Sequence, residues 1–313
     1  VDRSPTGSGV SARIAVQVFL VVGGFLAARS LAPRGAAQFT HPLPLAWNRY
    51  SRLILPMFAA IGLAIVCAAI ARAWMPLESS VPATADMPQL LAHVLLLQNL
   101  LGYEALSAGV WYVAIDFQLF VLALAALGWV RWLERRWKVN AARARWLAVA
   151  LVLVSALTIA SLFHFNRDAA WDNWALYFFG AYGLGVLAFW ASGRERRLFW
   201  LGLVAAMGLA ALLVDFRSRI AVALLVALLL GCTHRSAVAQ RRLDVRPLAF
   251  LGRISYSVFL ANYPVCLAIN AAFARFAPGD PLINAFGLLL AWSASILAGA
   301  LLHRYVEQPA FLW

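Results

Sequence analysis

Residues 110–130 read Val110-Trp111-Tyr112-Val113-Ala114-Ile115-Asp116-Phe117-Gln118-Leu119-Phe120, followed by VLALAALGWV to Val130. The stretch matches the length a helix needs to cross a lipid bilayer, about 20 residues. Its one charge is Asp116, roughly 8–9 Å from the start of the run at 1.5 Å per residue. A carboxylate at that depth costs several kcal/mol unless it meets a partner or water, so it marks either a site or a structural hydrogen bond to a neighbouring helix. Gln118 lies two residues on and faces elsewhere on the helix.

The rest of the chain repeats the pattern. It is 64% hydrophobic and 12% charged, with mean hydropathy +0.79. A soluble chain of 313 residues needs more polar surface than that. The reading is an all-α, polytopic integral membrane protein, with one membrane domain over residues 1–313. The apolar runs predict about nine spans: 13–31, 53–75, 110–130, 146–165, 174–191, 198–214, 219–232, 255–274 and 283–303. The run 219–232 is short for a span. Segment 89–101 is shorter still, which fits an interfacial or a re-entrant helix.

The formal charge of +13 does not point to nucleic acid, because the cations sit between apolar runs, where cytoplasmic loops carry them. Loop 32–52 holds Arg34, Arg49 and Arg52. Loop 131–145 holds Arg131, Arg135, Arg136, Lys138, Arg143 and Arg145. Loop 192–197 and loop 233–247 are also Arg-rich, whereas loop 76–109 has no Lys or Arg. The positive-inside rule puts the Arg-rich loops and the C-terminus in the cytoplasm and residue 1 outside. The turn from Asp215 to Arg219 fits least well, being mildly basic yet outside.

Polar groups inside or beside the spans are the candidates for chemistry. Arg49 and Arg52, three apart on one helical face, suit a phosphate, or serve as a topology signal beside lipid headgroups. Ser255, Tyr256, Ser257, Asn262 and Tyr263 put hydrogen-bonding groups into one span, with Pro264 beside them; the span either lines a cavity or packs tightly through its serines. At the C-terminal end, Arg304 and Glu307 have the spacing of an ion pair. His41, His93, His164, His234 and His303 have no partner at metal-ligand spacing, and no metal is expected; each reads more readily as an interfacial residue than as a catalyst, although histidine is the usual general base. Cys67, Cys232 and Cys266 read as small buried hydrophobes.

Together these segments resemble the integral-membrane acyltransferase-3 family, bacterial O-acyltransferases that modify glycans. Val18 to Leu26 is similar to the family's Phe-Phe-Val-Leu-Ser-Gly-Phe-Leu segment, with Gly23 where Ser is usual. Arg49-Tyr50-Ser51-Arg52 resembles its Arg-x-x-Arg motif. Trp111 to Phe120 is similar to its Trp-Ser-Leu-x-Val-Glu-x-Gln-Phe-Tyr segment, with Asp116 replacing Glu. Leu251 to Val265 is similar to Leu-Gly-x-Ile-Ser-Tyr-Ser-x-Tyr-Leu-x-His-Tyr-Pro, with Asn262 replacing His. Tyr305 to Pro309 resembles the terminal Tyr-x-x-Glu-x-Pro.

The resemblance implies an acyltransferase for groups other than amino-acyl groups, in the bacterial inner membrane. No bound cofactor is expected. The donor substrate would be acyl-CoA, acetyl-CoA in the first instance, and the acceptor a hydroxyl of a surface glycan or lipid-linked sugar among membrane lipids. It assigns Arg49 and Arg52 to the CoA phosphates. Asp116, Asn262 and Tyr256 would serve the catalytic centre, with Trp111, Gln118, Ser255 and Glu307 in support. It also implies a parent of about ten spans, whose first span carries an Arg and a catalytic His and would precede residue 1, so the chain as given is expected to be inactive. The other readings are a transporter or flippase of an amphipathic glycan or lipid, where polar residues and a Pro-bearing helix also belong, and a non-catalytic relative in polysaccharide assembly.

Overall fold

The computed structural model describes residues 7–75, 84–137, 143–236, 245–276 and 281–310. Among them there is helix and no strand. In chain order the helices are α1 (Gly7–Leu31), α2 (Pro42–Trp74), α3 (Met87–Val94), α4 (Val110–Trp137), α5 (Arg143–Phe163), α6 (Ala175–Ser192), α7 (Arg197–Val214), α8 (Ser218–Thr233), α9 (Arg246–Phe276) and α10 (Pro281–Leu302). A π-helical turn, His303–Glu307, follows α10. Each expected span coincides with a helix. Seven are long and apolar enough to cross a membrane, while Val16–Leu31 and Ser218–Thr233 are shorter apolar helices. The protein is therefore an all-α polytopic membrane protein. Lys138, Arg241 and Arg242, counted above among the loop cations, lie outside the described residues.

The chain falls into two compact units, residues 1–46 with 115–243, and residues 47–114 with 244–313. In the first unit α6 is the hub: every residue from Tyr177 to Ser192 is buried. A helix apolar all round belongs in the interior. In lipid the association of helices rests on close packing, which small residues permit. Gly24 of α1 and Gly185 of α6 supply it. A Cβ on Gly24 would land on the Tyr182 carbonyl oxygen, and one on Gly185 on the Val21 carbonyl oxygen. Ser161 of α5 fastens the other flank of α6, accepting from the Gly180 N–H at 2.7 Å and donating to the Tyr177 carbonyl at 3.2 Å.

The basic turn at 215–219 is accounted for locally. Arg217 donates to Asn166 Oδ1 at 2.5 Å and to the Leu162 carbonyl at 2.8 Å, and lies 3.4 Å from the Asp215 carboxylate. Arg219 donates to the Asn166 carbonyl at 2.8 Å and stands over the Tyr177 ring. Burial lowers the Arg217 pKa from its ordinary value, and Asp215 opposes that. These cations tie the ends of α5, α6 and α8 together, so they are poor indicators of the side on which their loop lies.

In the second unit α9 packs chiefly on α10, and Ala68, Ala71, Leu267 and Ala271 form a small core between α2 and α9. Both helices run on through their prolines, Pro56 and Pro264. The segment after α2 resolves the choice left open for residues 89–101. Tyr50 Oη donates to the Val94 carbonyl at 2.7 Å. Tyr50 lies 24 residues before the end of α2 at Trp74, about 36 Å along the helix axis. The chain that leaves α2 at Trp74 therefore comes back to its arginine-bearing end, the geometry of a re-entrant segment rather than of a helix resting beyond the far end of α2.

The re-entrant turn is pinned at every step. Asp86 caps α3 by accepting from the Gln89 N–H at 2.8 Å. α3 ends with Leu96 at φ 56°, a left-handed conformation that costs a bulky residue about 1–2 kcal/mol. The bonds Leu97 N–H to Ala92 and Leu96 N–H to His93 close a Schellman turn around it. Complete burial of the Leu96 side chain holds the strained residue in place.

Candidate functional site

The second unit brings one end of α2, the start of α9 and the π turn together through hydrogen bonds. Arg49 and Arg52 stand on the first third of α2, Arg49 half-buried and Arg52 exposed, three residues apart on an unbroken helix as the sequence predicts. Pro56 has no N–H and disturbs the carbonyls one turn before it. The Leu53 carbonyl there accepts from Tyr256 Oη of α9 at 2.8 Å. The next residue, Ser257, is fully buried and donates to Glu307 Oε2 at 2.5 Å. His303 Nδ1 meets the same carboxylate oxygen at 2.9 Å. An unbroken series of contacts thus runs from the arginine end of α2 through Tyr256 and Ser257 to a histidine–carboxylate pair.

That pair departs from the sequence reading. Arg304 was the expected partner of Glu307. Instead Arg304 leans over the Tyr305 ring, 5.7 Å from its centroid. The π turn supplies the reason: its wider winding lets the i and i+4 side chains of His303 and Glu307 meet on the inner face. The Glu307 side chain is 8% exposed and that of His303 17%. A buried carboxylate that accepts from Nδ1–H fixes the imidazole tautomer and leaves Nε2 as the proton acceptor, the arrangement general bases use. His303 read as an interfacial residue in the sequence; the signal that could have found it was its i, i+4 spacing to Glu307, obscured by the arginine at i+1.

Of the other candidates, Ser255 donates to the Gly252 carbonyl within its own helix at 2.9 Å. Asn262 is exposed and its Oδ1 accepts from the Cys266 thiol at 3.4 Å. Trp111 is half-buried at the start of α4, where its carbonyl accepts from Asn99 Nδ2 at 3.1 Å. The neighbouring Val110 carbonyl accepts from Gln98 Nε2 at 3.2 Å. The re-entrant segment thus holds the start of α4 with two side-chain amides.

Asp116 and Gln118 belong to the first unit. Gln118 is half-buried. Asp116 is 4% exposed, and its Oδ1 lies 3.1 Å from where a Cβ on Gly23 would stand, with the Tyr182 ring next to it. The two departures from the motif noted above, Gly for Ser at 23 and Asp for Glu at 116, are therefore neighbours in space. Glycine at 23 leaves room for the carboxylate, and any larger residue there would press on it.

His93 is structural. It is fully buried, its Nδ1 is 2.7 Å from the Gln89 carbonyl, and its Nε2 accepts from the Leu106 N–H at 3.2 Å. The bond to Nε2 needs the neutral ring, because a protonated Nε2 has no lone pair with which to accept. Burial lowers its pKa from 6.5, partly opposed by the Gln89 carbonyl. A histidine with a depressed folded pKa contributes stability that is full above 6.5 and is lost as pH falls below it. Amide exchange across residues 89–107 should therefore accelerate on acidification below that value. The same acceleration in His93→Gln would show that another group is responsible.

Among the described residues no group of three or more His, Cys, Asp or Glu could hold a metal ion. A family model described as an acyltransferase domain matches residues 2–305. No curated protein and no solved structure matches the chain significantly. The family match covers nearly the whole chain and agrees with the helical membrane fold: the chain belongs to the acyltransferase-3 family of membrane acyltransferases.

Proposed function

We propose that this protein moves an acyl group, acetyl in the first instance, from acyl-CoA to a hydroxyl of a surface glycan or lipid-linked sugar at the bacterial inner membrane. The observation that carries the reading is the Glu307-held His303, joined by Ser257 and Tyr256 to the arginine end of α2, in a chain of an acyltransferase family. On the positive-inside reading that end and the C-terminus face the cytoplasm, where acyl-CoA is found.

In the proposed reaction Arg49 and Arg52 hold the phosphates of CoA, as paired guanidiniums do. His303 Nε2 takes the proton from the acceptor hydroxyl, whose oxygen attacks the thioester carbonyl carbon. The tetrahedral intermediate collapses with cleavage of the C–S bond, and the CoA thiolate recovers the proton from His303. Glu307 balances the imidazolium formed in between. Within the second unit Asn262 would lie along the path of the acceptor; Asp116, with Gly23 making room for it, is a separate candidate of the first unit.

The test is CoA binding to the protein in nanodiscs. Two lost guanidinium–phosphate contacts should weaken Arg49→Gln/Arg52→Gln by about a hundredfold or more. Unchanged CoA binding in that variant overturns the assignment. Loss of glycan or lipid export with CoA binding intact would favour a transporter.

A further inference from the structure

Two hollows in the first unit meet at shared residues. One is a cavity of about 330 Å³ at the Arg-rich ends of the helices, lined among others by Arg34, Trp190, Arg194, His234 and Arg235. The other is an apolar groove of about 480 Å³ between α5 and α7, floored by α6. Trp190 and Arg194 line both.

The cavity is built to take an anion. Arg34, Arg194 and Arg235 line it, and among the described residues none of the three is paired with a carboxylate. Arg194 is steadied over the Trp200 ring, 4.3 Å from its centroid. Trp190 Nε1 donates to the Ala32 carbonyl at 2.9 Å, holding the loop that carries Arg34. In that loop Gly35 takes a φ of 78° and packs so closely that a Cβ would strike Leu147. His234, beside the cavity, has its pKa lowered by burial and then by Arg29 and Arg235, a sign of the positive field there. Arginines gathered in a concavity recognise phosphate.

The groove is built for hydrocarbon. Its walls include Val152, Ile159, Leu203 and Met207, and the first three of these are exposed. From Leu151 to Ile159 it follows α5 for about 12 Å, away from the Arg-bearing end and into the depth of the bundle. A phosphate site continuous with an apolar furrow of that depth matches one class of molecule, a membrane lipid with an anionic headgroup.

We propose that the first unit binds an anionic phospholipid, its phosphate between Arg34, Arg194 and Arg235 and one acyl chain along the α5–α7 groove. This is independent of the acyl-transfer reading, whose proposed groups around His303 lie in the second unit. The site would fix the protein to anionic regions of the membrane.

The experiment uses the full chain in nanodiscs of equal phosphatidylglycerol and phosphatidylcholine, with retained lipid measured by native mass spectrometry. The wild type should retain phosphatidylglycerol preferentially. Arg34→Gln/Arg235→Gln should reduce that preference by roughly tenfold or more. Ala156→Trp, which fills the groove from an exposed position, should reduce retention of both lipids at this site. The control Arg135→Gln/Arg136→Gln removes two exposed charges of α4 that do not line the cavity and should leave the preference intact. An equal loss in the control would mean annular lipid and general attraction only, and overturns the proposal. Displacement of phosphatidylglycerol by coenzyme A, lost in Arg34→Gln/Arg235→Gln, would overturn it too, making the cavity a site for a soluble phosphate.

Discussion

His303→Ala lowers acyl transfer by about 10²–10⁴-fold, the range associated with removing a positioned general base. Its bonded partner Glu307 is 6% exposed, and the pair sits in a π turn that sets the imidazole against that carboxylate. The loss should fall on kcat, with KM for acyl-CoA little changed, because the proposed donor contacts are those of Arg49 and Arg52. Glu307→Gln should lower kcat less, since the imidazole survives but its tautomer and its charge balance are weakened. Ser257→Ala separates chemistry from bracing: it removes one bond to Glu307 and leaves the one to His303. A loss in Ser257→Ala as large as in His303→Ala, with no change in the pH–rate profile of either, would make the cluster a structural brace.

Gly24→Val prevents assembly of the first unit. The new side chain would start on the Tyr182 carbonyl oxygen and forces α1 off the hub helix α6. Backbone cannot give way as the end of a side chain can, so the cost is at least about 3 kcal/mol, more than a hundredfold in the folded population. Gly185→Val, on the opposite side of the same crossing, behaves alike. Gly62→Ala has the opposite sign, because nothing lies within 4 Å of a Cβ there and alanine favours helix by about 1 kcal/mol. The readout is thermal unfolding of the purified proteins in detergent. Equal melting of wild type and Gly24→Val would contradict the α1–α6 packing.

The helices were legible because a span must be both long and apolar, and neither condition depends on partners. The run 110–130 and its neighbours declared themselves on that ground. The packing inside the first unit was less legible. Gly180, Gly183 and Gly185 sit in an apolar run that looks like any other span, and only the approach of Leu162, Thr158 and Val21 respectively shows why they are glycines. The re-entrant turn escaped a firm reading because its closing residue is Leu96 rather than a glycine, with burial supplying what sequence preference withholds.

At the candidate site, the pairing of Arg49 with Arg52 on one face follows from helical spacing alone. The partner of Glu307 did not follow, because a π turn is a tertiary outcome that shifts which side chains meet. The turn at 215–219 fits the charge count poorly for a related reason. Guanidiniums bonded to Asn166 and to main-chain carbonyls act as structural donors, and the positive-inside rule has no way to discount them.

The central claim is tested most directly by incubating the purified protein in nanodiscs with radiolabelled acetyl-CoA and isolated envelope glycans. The account predicts label on glycan hydroxyls with release of free CoA, abolished by His303→Ala in protein that remains folded. Folded wild-type protein that moves no label to any glycan of a broad panel, or full transfer by His303→Ala, would contradict it.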